Sequence, residues 1–131
     1  MTGTLLLDCE GLSRLLRRDP SMDPRILAAR KNDNRVAVST MTIVEASHRR
    51  VDPNHLSWVL SRLKVMPVTE EIARHATDLL QSAGDLHGHK YAIDAVVAAT
   101  ALRAEGPVGI LTSDPEDMAL LCGSRVKIVK I

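Results

Sequence analysis

The chain has 131 residues, 45% of them apolar and 25% charged, with a formal net charge of +1. That length suits a single domain, residues 1–131, with one core, and no linker, internal repeat or low-complexity run divides it. No apolar run approaches the ~20 residues of a membrane span, and the opening MTGTLLLD has only Leu5 to Leu7 before an acid, too short for a signal peptide.

Thr4–Asp8 (TLLLD) reads as a buried strand ending in an acid. Glu10 to about Arg18 follows as a helix with Leu12, Leu15 and Leu16 on one face. A second helix is expected from about Pro24 to Asn32, with Asp23 as cap and Pro24 at its first position. Val36–Ser39 is a second strand. Thr42–Arg49 (TIVEASHR) reads as a helix opened by Thr40 or Thr42, with Glu45 one turn in. Asn54–Leu63 is a further helix and Lys64–Val68 a third strand. Thr69 then caps a helix through about Ala83, with Glu70 and Glu71 in its first turn. After a loop at Gly84–Lys90 comes Tyr91–Glu105, a stretch apolar nearly all round that belongs in the middle of a domain. Gly109–Thr112 is a fourth strand, Pro115–Cys122 a short helix and Val126–Val129 a last strand.

Short strands alternating with helices imply an α/β fold with a mostly parallel sheet covered on both faces. Ligands of such sheets bind beyond the carboxyl ends of the strands. Asp8 ends the first strand and Asp114 lies just past the fourth, so both emerge on that edge. Asp94 falls in the expected first turn of the central helix. There it either complements the helix dipole or, as a carboxylate among apolar residues, costs several kcal/mol unless something pairs with it.

Singly, each acid has a structural explanation. Asp8 can bond backbone in the turn after its strand, and Glu45 can pair with Arg49 four residues on. Asp114-Pro115-Glu116-Asp117 is a well-formed helix start. Jointly they are harder to explain. If they converge to about 5 Å at an effective dielectric near 20, each pair repels by roughly 3 kcal/mol. Three such pairs approach the whole stability of a small domain, about 5–15 kcal/mol. Such a site takes up protons or holds a cation, and oxygen-only ligands suit Mg²⁺ or Mn²⁺. An ion of that kind activates water and offsets the charge of a phosphodiester under in-line attack.

These residues resemble a PIN domain, and more narrowly the VapC toxins of bacterial toxin–antitoxin pairs. The matching segments are Asp8 in LLLDCEGL, Glu45 in STMTIVEASHRR, Asp94 in YAIDAVVAATAL, and Asp114 with Asp117 in LTSDPEDM. Their order and spacing fit from end to end. The resemblance implies a three-layer α/β/α fold and a metal-dependent endoribonuclease, dimeric and inhibited by a VapB antitoxin. Carried over by position, Asp8, Glu45, Asp94 and Asp114 form the acidic quartet and bind metal, with Asp117 auxiliary and Thr112 the hydroxyl of a T-x-D motif. One position departs from the pattern: two residues after the first Asp, where the family carries a small hydroxyl or amide residue, stands Glu10. It either adds a charge to the site or points away.

Two rivals stand beside this reading. DCEGL and TSDPED loosely resemble the nucleophile and late acidic motifs of haloacid-dehalogenase phosphatases, with Asp8 as nucleophile and Glu10 as general acid. The short chain, and Glu45 and Asp94 left without a role, weigh against it. The other rival is a PIN-like scaffold that binds RNA or protein without cutting.

The remaining signals are weaker. Residues 1–64 hold eleven Lys/Arg against seven Asp/Glu, and residues 65–131 six against nine, so the first half is basic and the second acidic. A basic half can follow a phosphate backbone, and Arg49, Arg50 and Lys90, beside the expected site, are candidates to hold RNA phosphates. Surface salt bridges explain them equally well. With no Phe, one Tyr and one Trp, modules that stack bases on aromatic platforms are disfavoured. His87 and His89 with Asp85 are too few ligands, in too polar a loop, for zinc. Cys9 and Cys122 form no metal pattern and are expected to be reduced thiols of a cytoplasmic protein. The apolar faces around Leu12–Leu16 and Leu56–Leu60 can seat a partner or a second copy, though core packing is the simpler explanation.

Overall fold

A computed structural model describes residues 3–48, 50–84, 86 and 88–131. The elements run β1 (Gly3–Leu7), α1 (Cys9–Leu16), α2 (Asp23–Lys31), β2 (Asn34–Ser39), α3 (Thr40–Ala46), α4 (Pro53–Ser61), β3 (Lys64–Met66), α5 (Glu70–Ser82), α6 (Gly88–Arg103), β4 (Val108–Thr112), α7 (Pro115–Cys122) and β5 (Lys127–Lys130). Short 3₁₀ turns at Pro20–Met22 and Gly123–Arg125 complete them.

The sheet has the order β3-β2-β1-β4-β5, and every pairing is parallel. Side chains alternate across a strand, so β1 feeds two cores. Leu6, with Ala37 and Ile110, packs under α5, α6 and α7. Leu7 and Leu111, with Val36, face Met22 and Ala29 around α2. Val38, with Leu12 of α1, Ala46 of α3 and Val59 of α4, completes that second face. Helices therefore cover both faces of the sheet, giving the expected three-layer α/β/α sandwich.

Helix α6 takes the central place its composition predicts. Ala95, Val97, Ala98, Ala99, Thr100 and Ala101 are buried, and its alanines let α5 and α7 lie close on either side. The Thr100 hydroxyl donates back to the Val96 carbonyl at 2.7 Å, which satisfies it inside the helix. A leucine-to-alanine change at Leu6, which has no exposed surface, should cost about 2–5 kcal/mol.

Several helix starts differ from expectation. Asp23 is the first residue of α2, not its cap, because Asp19 has already opened a 3₁₀ turn by accepting from the Ser21 N–H at 2.9 Å. Helix α3 is opened by Ser39, whose hydroxyl accepts from the Met41 N–H at 3.1 Å. Thr40 is used differently: its hydroxyl accepts from the Val68 N–H at 3.1 Å and ties down the chain after β3. Helix α3 also stops at Ala46, with Ser47 extended. Helix α6 begins at Gly88, three residues early, so Asp94 lies in its second turn, past the free N–H groups. The dipole explanation for Asp94 therefore fails. Thr69 does cap α5, accepting from the Ile72 N–H at 3.2 Å.

Candidate functional site

In a sheet of this order β1 is the switch point: the chain leaves it towards β2 on one side and later returns to β4 on the other. The crevice beyond the carboxyl ends of β1 and β4 is where such folds bind ligands, and Asp8 and Asp114 follow those two strands.

Asp8 is buried and clips the two ends together. Its Oδ1 accepts from the Gly11 N–H at 3.0 Å, capping α1, and its Oδ2 accepts from the Ser113 N–H at 3.1 Å beyond β4. Its own N–H donates to the Leu111 carbonyl at 3.1 Å. Gly11 permits this closeness, since a Cβ there would stand 3.1 Å from the Leu7 Cβ. The structural explanation for Asp8 thus holds in full, and it also fixes where the carboxylate sits.

Asp114 is different. It occupies the cap position of α7, yet its side chain makes no cap hydrogen bond. The buried Thr112 hydroxyl instead accepts from the Asp114 N–H at 2.9 Å and sets the turn. The exposed Asp114 carboxylate is therefore uncommitted to the helix that follows it. Asp117, in the first turn of α7, is partly buried.

Asp94 shows best how these acids stand to one another. Its pKa is pushed from 3.8 up to about 6, first by burial and then by the fields of Asp114, Asp117, Glu45 and Asp8. Acids from the end of β1 (Asp8), from α3 (Glu45) and from the start of α7 (Asp114 and Asp117) thus act on one carboxyl group of α6, although they lie far apart in sequence. Glu45, next to the last residue of α3, is also raised, chiefly by burial, with Asp8 and Asp114 adding to it. The bond it accepts from the Cys9 thiol works the other way.

The acids share a field without being drawn to a point. Among the described residues no three His, Cys, Asp or Glu side chains stand as a ready-made cage for an ion. In kind, the set fits a hard divalent cation: carboxylates only, several charges, one of them desolvated.

Glu10 points away. Its Oε1 accepts from Arg14 Nε at 2.9 Å and Arg17 Nη2 at 3.2 Å along the partly exposed side of α1. Those arginines, the Arg14 hydrogen bond foremost, hold its carboxyl below the usual range. That also removes the general acid which a phosphatase reading asks of it. Lys90 is exposed, with Nζ over the Tyr91 ring at 5.1 Å from its centroid. Arg50 is exposed too. Arg49, Asp85 and His87 lie outside the described residues, as does the His89 side chain. Sequence reasoning overlooked Cys9, whose thiol reaches Glu45 beside Asp8 and is raised mainly by burial. Adjacency to Asp8 was the available signal.

A cavity of about 560 Å³ lies elsewhere, on the face covered by α1, α2 and α4. Leu15, Ile26, Leu27, Trp58 and Leu63 give it an apolar lining, and its rim carries both signs of charge, Arg18, Arg30 and Arg62 with Asp19 and Asp23. Leu27 is 56% and Trp58 59% exposed. Trp58 stacks on His55 at 6.1 Å and takes Arg62 over its ring at 5.5 Å. None of the five coupled acids lines this cavity. Core packing accounts for Leu12, which is fully buried, but leaves the neighbouring Trp58 and Leu27 uncovered.

No family model and no curated protein matches the chain. Solved structures do. Over 98% of both chains it superposes on a chain of VapBC2 from Rickettsia felis bound to a fragment of promoter DNA, with a TM-score of 0.71 and 15% identity. DNA-bound VapBC from Salmonella typhimurium gives 0.68 at 17% identity, again over 98% of each chain. FitAcB from Neisseria gonorrhoeae gives 0.61 at 19%, covering 95% of this chain and 96% of that one. At such identities the likeness is one of fold, and it extends over nearly the whole chain.

Proposed function

We propose that the chain is the toxin of a type II toxin–antitoxin pair, an endoribonuclease that hydrolyses RNA phosphodiester bonds with the help of Mg²⁺ or Mn²⁺. The observation that carries this reading is that Asp8, Glu45, Asp114 and Asp117, far apart in sequence, all bear on Asp94, which burial and their charge push to about 6, beside the switch point of the sheet. The fold likeness to VapBC and FitAcB chains supports it.

In this reading Asp8, Asp94 and Asp114 would hold the ion, with Asp117 beside them. A bound divalent ion lowers the pKa of a water and offsets charge on the phosphate. Asp8, anchored by two backbone N–H groups, supplies the fixed side of the site. Asp114, free of a capping bond, supplies the movable one. Glu45 orients the attacking water or completes the ion's ligands, and burial raises its affinity for a proton. Arg49, Arg50 and Lys90 hold the phosphates of the strand being cut, an electrostatic role that weakens with salt. Substitution of Arg50 and Lys90 should therefore flatten the salt dependence of RNA binding.

The protein partner is the cognate antitoxin, which we place in the α1–α2–α4 cavity. An apolar floor with a rim of mixed charge, Arg18, Arg30 and Arg62 beside Asp19 and Asp23, fits an amphipathic segment that seats an apolar stripe on the floor. A homodimer in the cytoplasm is part of the same reading. No helix among the described residues is long and apolar enough to cross a membrane.

The test is to incubate the purified protein with total RNA and Mg²⁺ or Mn²⁺, with and without EDTA, beside Asp8→Asn. Discrete fragments that need both the ion and Asp8 are expected. RNA that is bound but left intact under every condition would point to a scaffold, and phosphate release from a generic ester through a phosphorylated Asp8 to a phosphatase.

A further inference from the structure

The chain has one tyrosine and no phenylalanine, so where the tyrosine ring lies is informative. Tyr91 belongs to none of the three hydrophobic clusters and is only partly buried. It stands three residues before Asp94 on α6. Residues three apart share a helix face, so the ring projects one turn beyond Asp94 on the side that carries the acid. Its neighbour Lys90 holds Nζ 5.1 Å from the ring centroid. Lys90 also feels the charge of Asp117 at the start of α7, after its larger hydrogen-bonding interaction with Tyr91. This end of α6 therefore lies one turn from Asp94 on the same side of the helix, with an ammonium group over its aromatic ring.

A lysine over a ring beside uncompensated acids is a pair suited to a nucleotide. Every base has a π-face that stacks on an aromatic ring, and every nucleotide carries a phosphate for an ammonium group. A base can stack on a side chain only if it is out of a duplex. We propose that Tyr91 is a substrate-positioning residue: it stacks an unpaired base adjoining the scissile phosphate, while Lys90 leaves the ring for the backbone phosphate. This rests on the ribonuclease reading and sharpens its substrate to RNA with an unpaired nucleotide at the cut. It asks one ring to stack one base, and so does not need the aromatic platform that the composition disfavours.

The test starts from the cut mapped in total RNA. A short oligonucleotide spanning it is made intact and with an abasic residue at each position flanking the cleaved bond. kcat/KM is measured for the wild type, Tyr91→Leu and Tyr91→Phe, with thermal unfolding run beside them. One abasic position should slow the wild type and Tyr91→Phe about tenfold, in line with the worth of one stacked base. Tyr91→Leu should cleave the intact oligonucleotide about tenfold more slowly and lose nothing further at that position. Losses that simply multiply in Tyr91→Leu, or a Tyr91→Leu protein that cuts the intact oligonucleotide at the wild-type rate, would overturn the proposal while leaving the ribonuclease standing. If the wild type cuts no RNA, the ribonuclease reading fails and takes this inference with it.

Discussion

Asp94→Asn should make the metal-free protein more stable, although it removes a residue of the proposed active site. The Asp94 carboxyl titrates near 6 in the fold against 3.8 ordinarily, through burial first and then the four neighbouring acids. A group raised in this way favours folding fully below its unfolded pKa and loses that advantage as pH climbs through the folded value. The window is therefore about pH 4 to 6, with the ionised carboxylate opposing folding above it. A rise from 3.8 to about 6 corresponds to ~3 kcal/mol. Because the side chain is only partly buried, solvent screening reduces this to about 1–2 kcal/mol. For a chain of this size that is roughly 3–8 °C in Tm. Thermal unfolding in EDTA should show Asp94→Asn above the wild type by this amount at pH 8 and level with it at pH 4. Saturating Mg²⁺ should reverse the order at pH 8, since an ion at 100 times its Kd adds about 2.7 kcal/mol to the protein that binds it. An Asp94→Asn protein less stable than the wild type in EDTA at pH 8 would refute the reasoning, as would equal stabilisation of both by Mg²⁺.

Asp8→Ala should cost about 2 kcal/mol in urea unfolding, because the Gly11 and Ser113 N–H groups lose their acceptor. Asp114→Ala removes no capping bond and should stay within about 0.5 kcal/mol of the wild type or exceed it. Glu10→Gln should leave ion affinity and cleavage within about twofold, since that carboxylate is engaged by Arg14 and Arg17; a tenfold loss would put Glu10 back in the site. Trp58→Ala should weaken the complex with the antitoxin by tenfold or more, as expected for an exposed aromatic anchor, and leave RNA cleavage unchanged. Isothermal titration calorimetry, which does not depend on the chain's one tryptophan, and the cleavage assay check the two halves separately.

The layering of the fold was readable because its cause is local. Leu5 to Leu7 is too short for a helix and too apolar for a loop, and Thr69 with Glu70 and Glu71 is a helix start on chemical grounds alone. Two of the errors lie where one capping group competes with another. Asp19 opens its turn before Asp23 can cap, and Ser39 precedes Thr40 and Thr42 at α3. The strand-end positions of Asp8 and Asp114 pointed to a common edge, whereas Glu45 and Asp94, on helices, were grouped with them only through the family resemblance. Neither the side Glu10 would take nor the exposure of Trp58 could be read from the chain. The first depends on arginines one and two turns away, the second on three helices that meet only in the tertiary structure.

The shared ion is tested most directly by titrating the metal-free protein with Mn²⁺ and following free Mn²⁺ by electron paramagnetic resonance. The wild type should remove the free signal at one or two equivalents, and Asp8→Asn, Asp94→Asn and Asp114→Asn should each leave most of it. Mn²⁺ that stays free in the presence of the wild type, or binds all four proteins alike, would contradict a site built from these carboxylates.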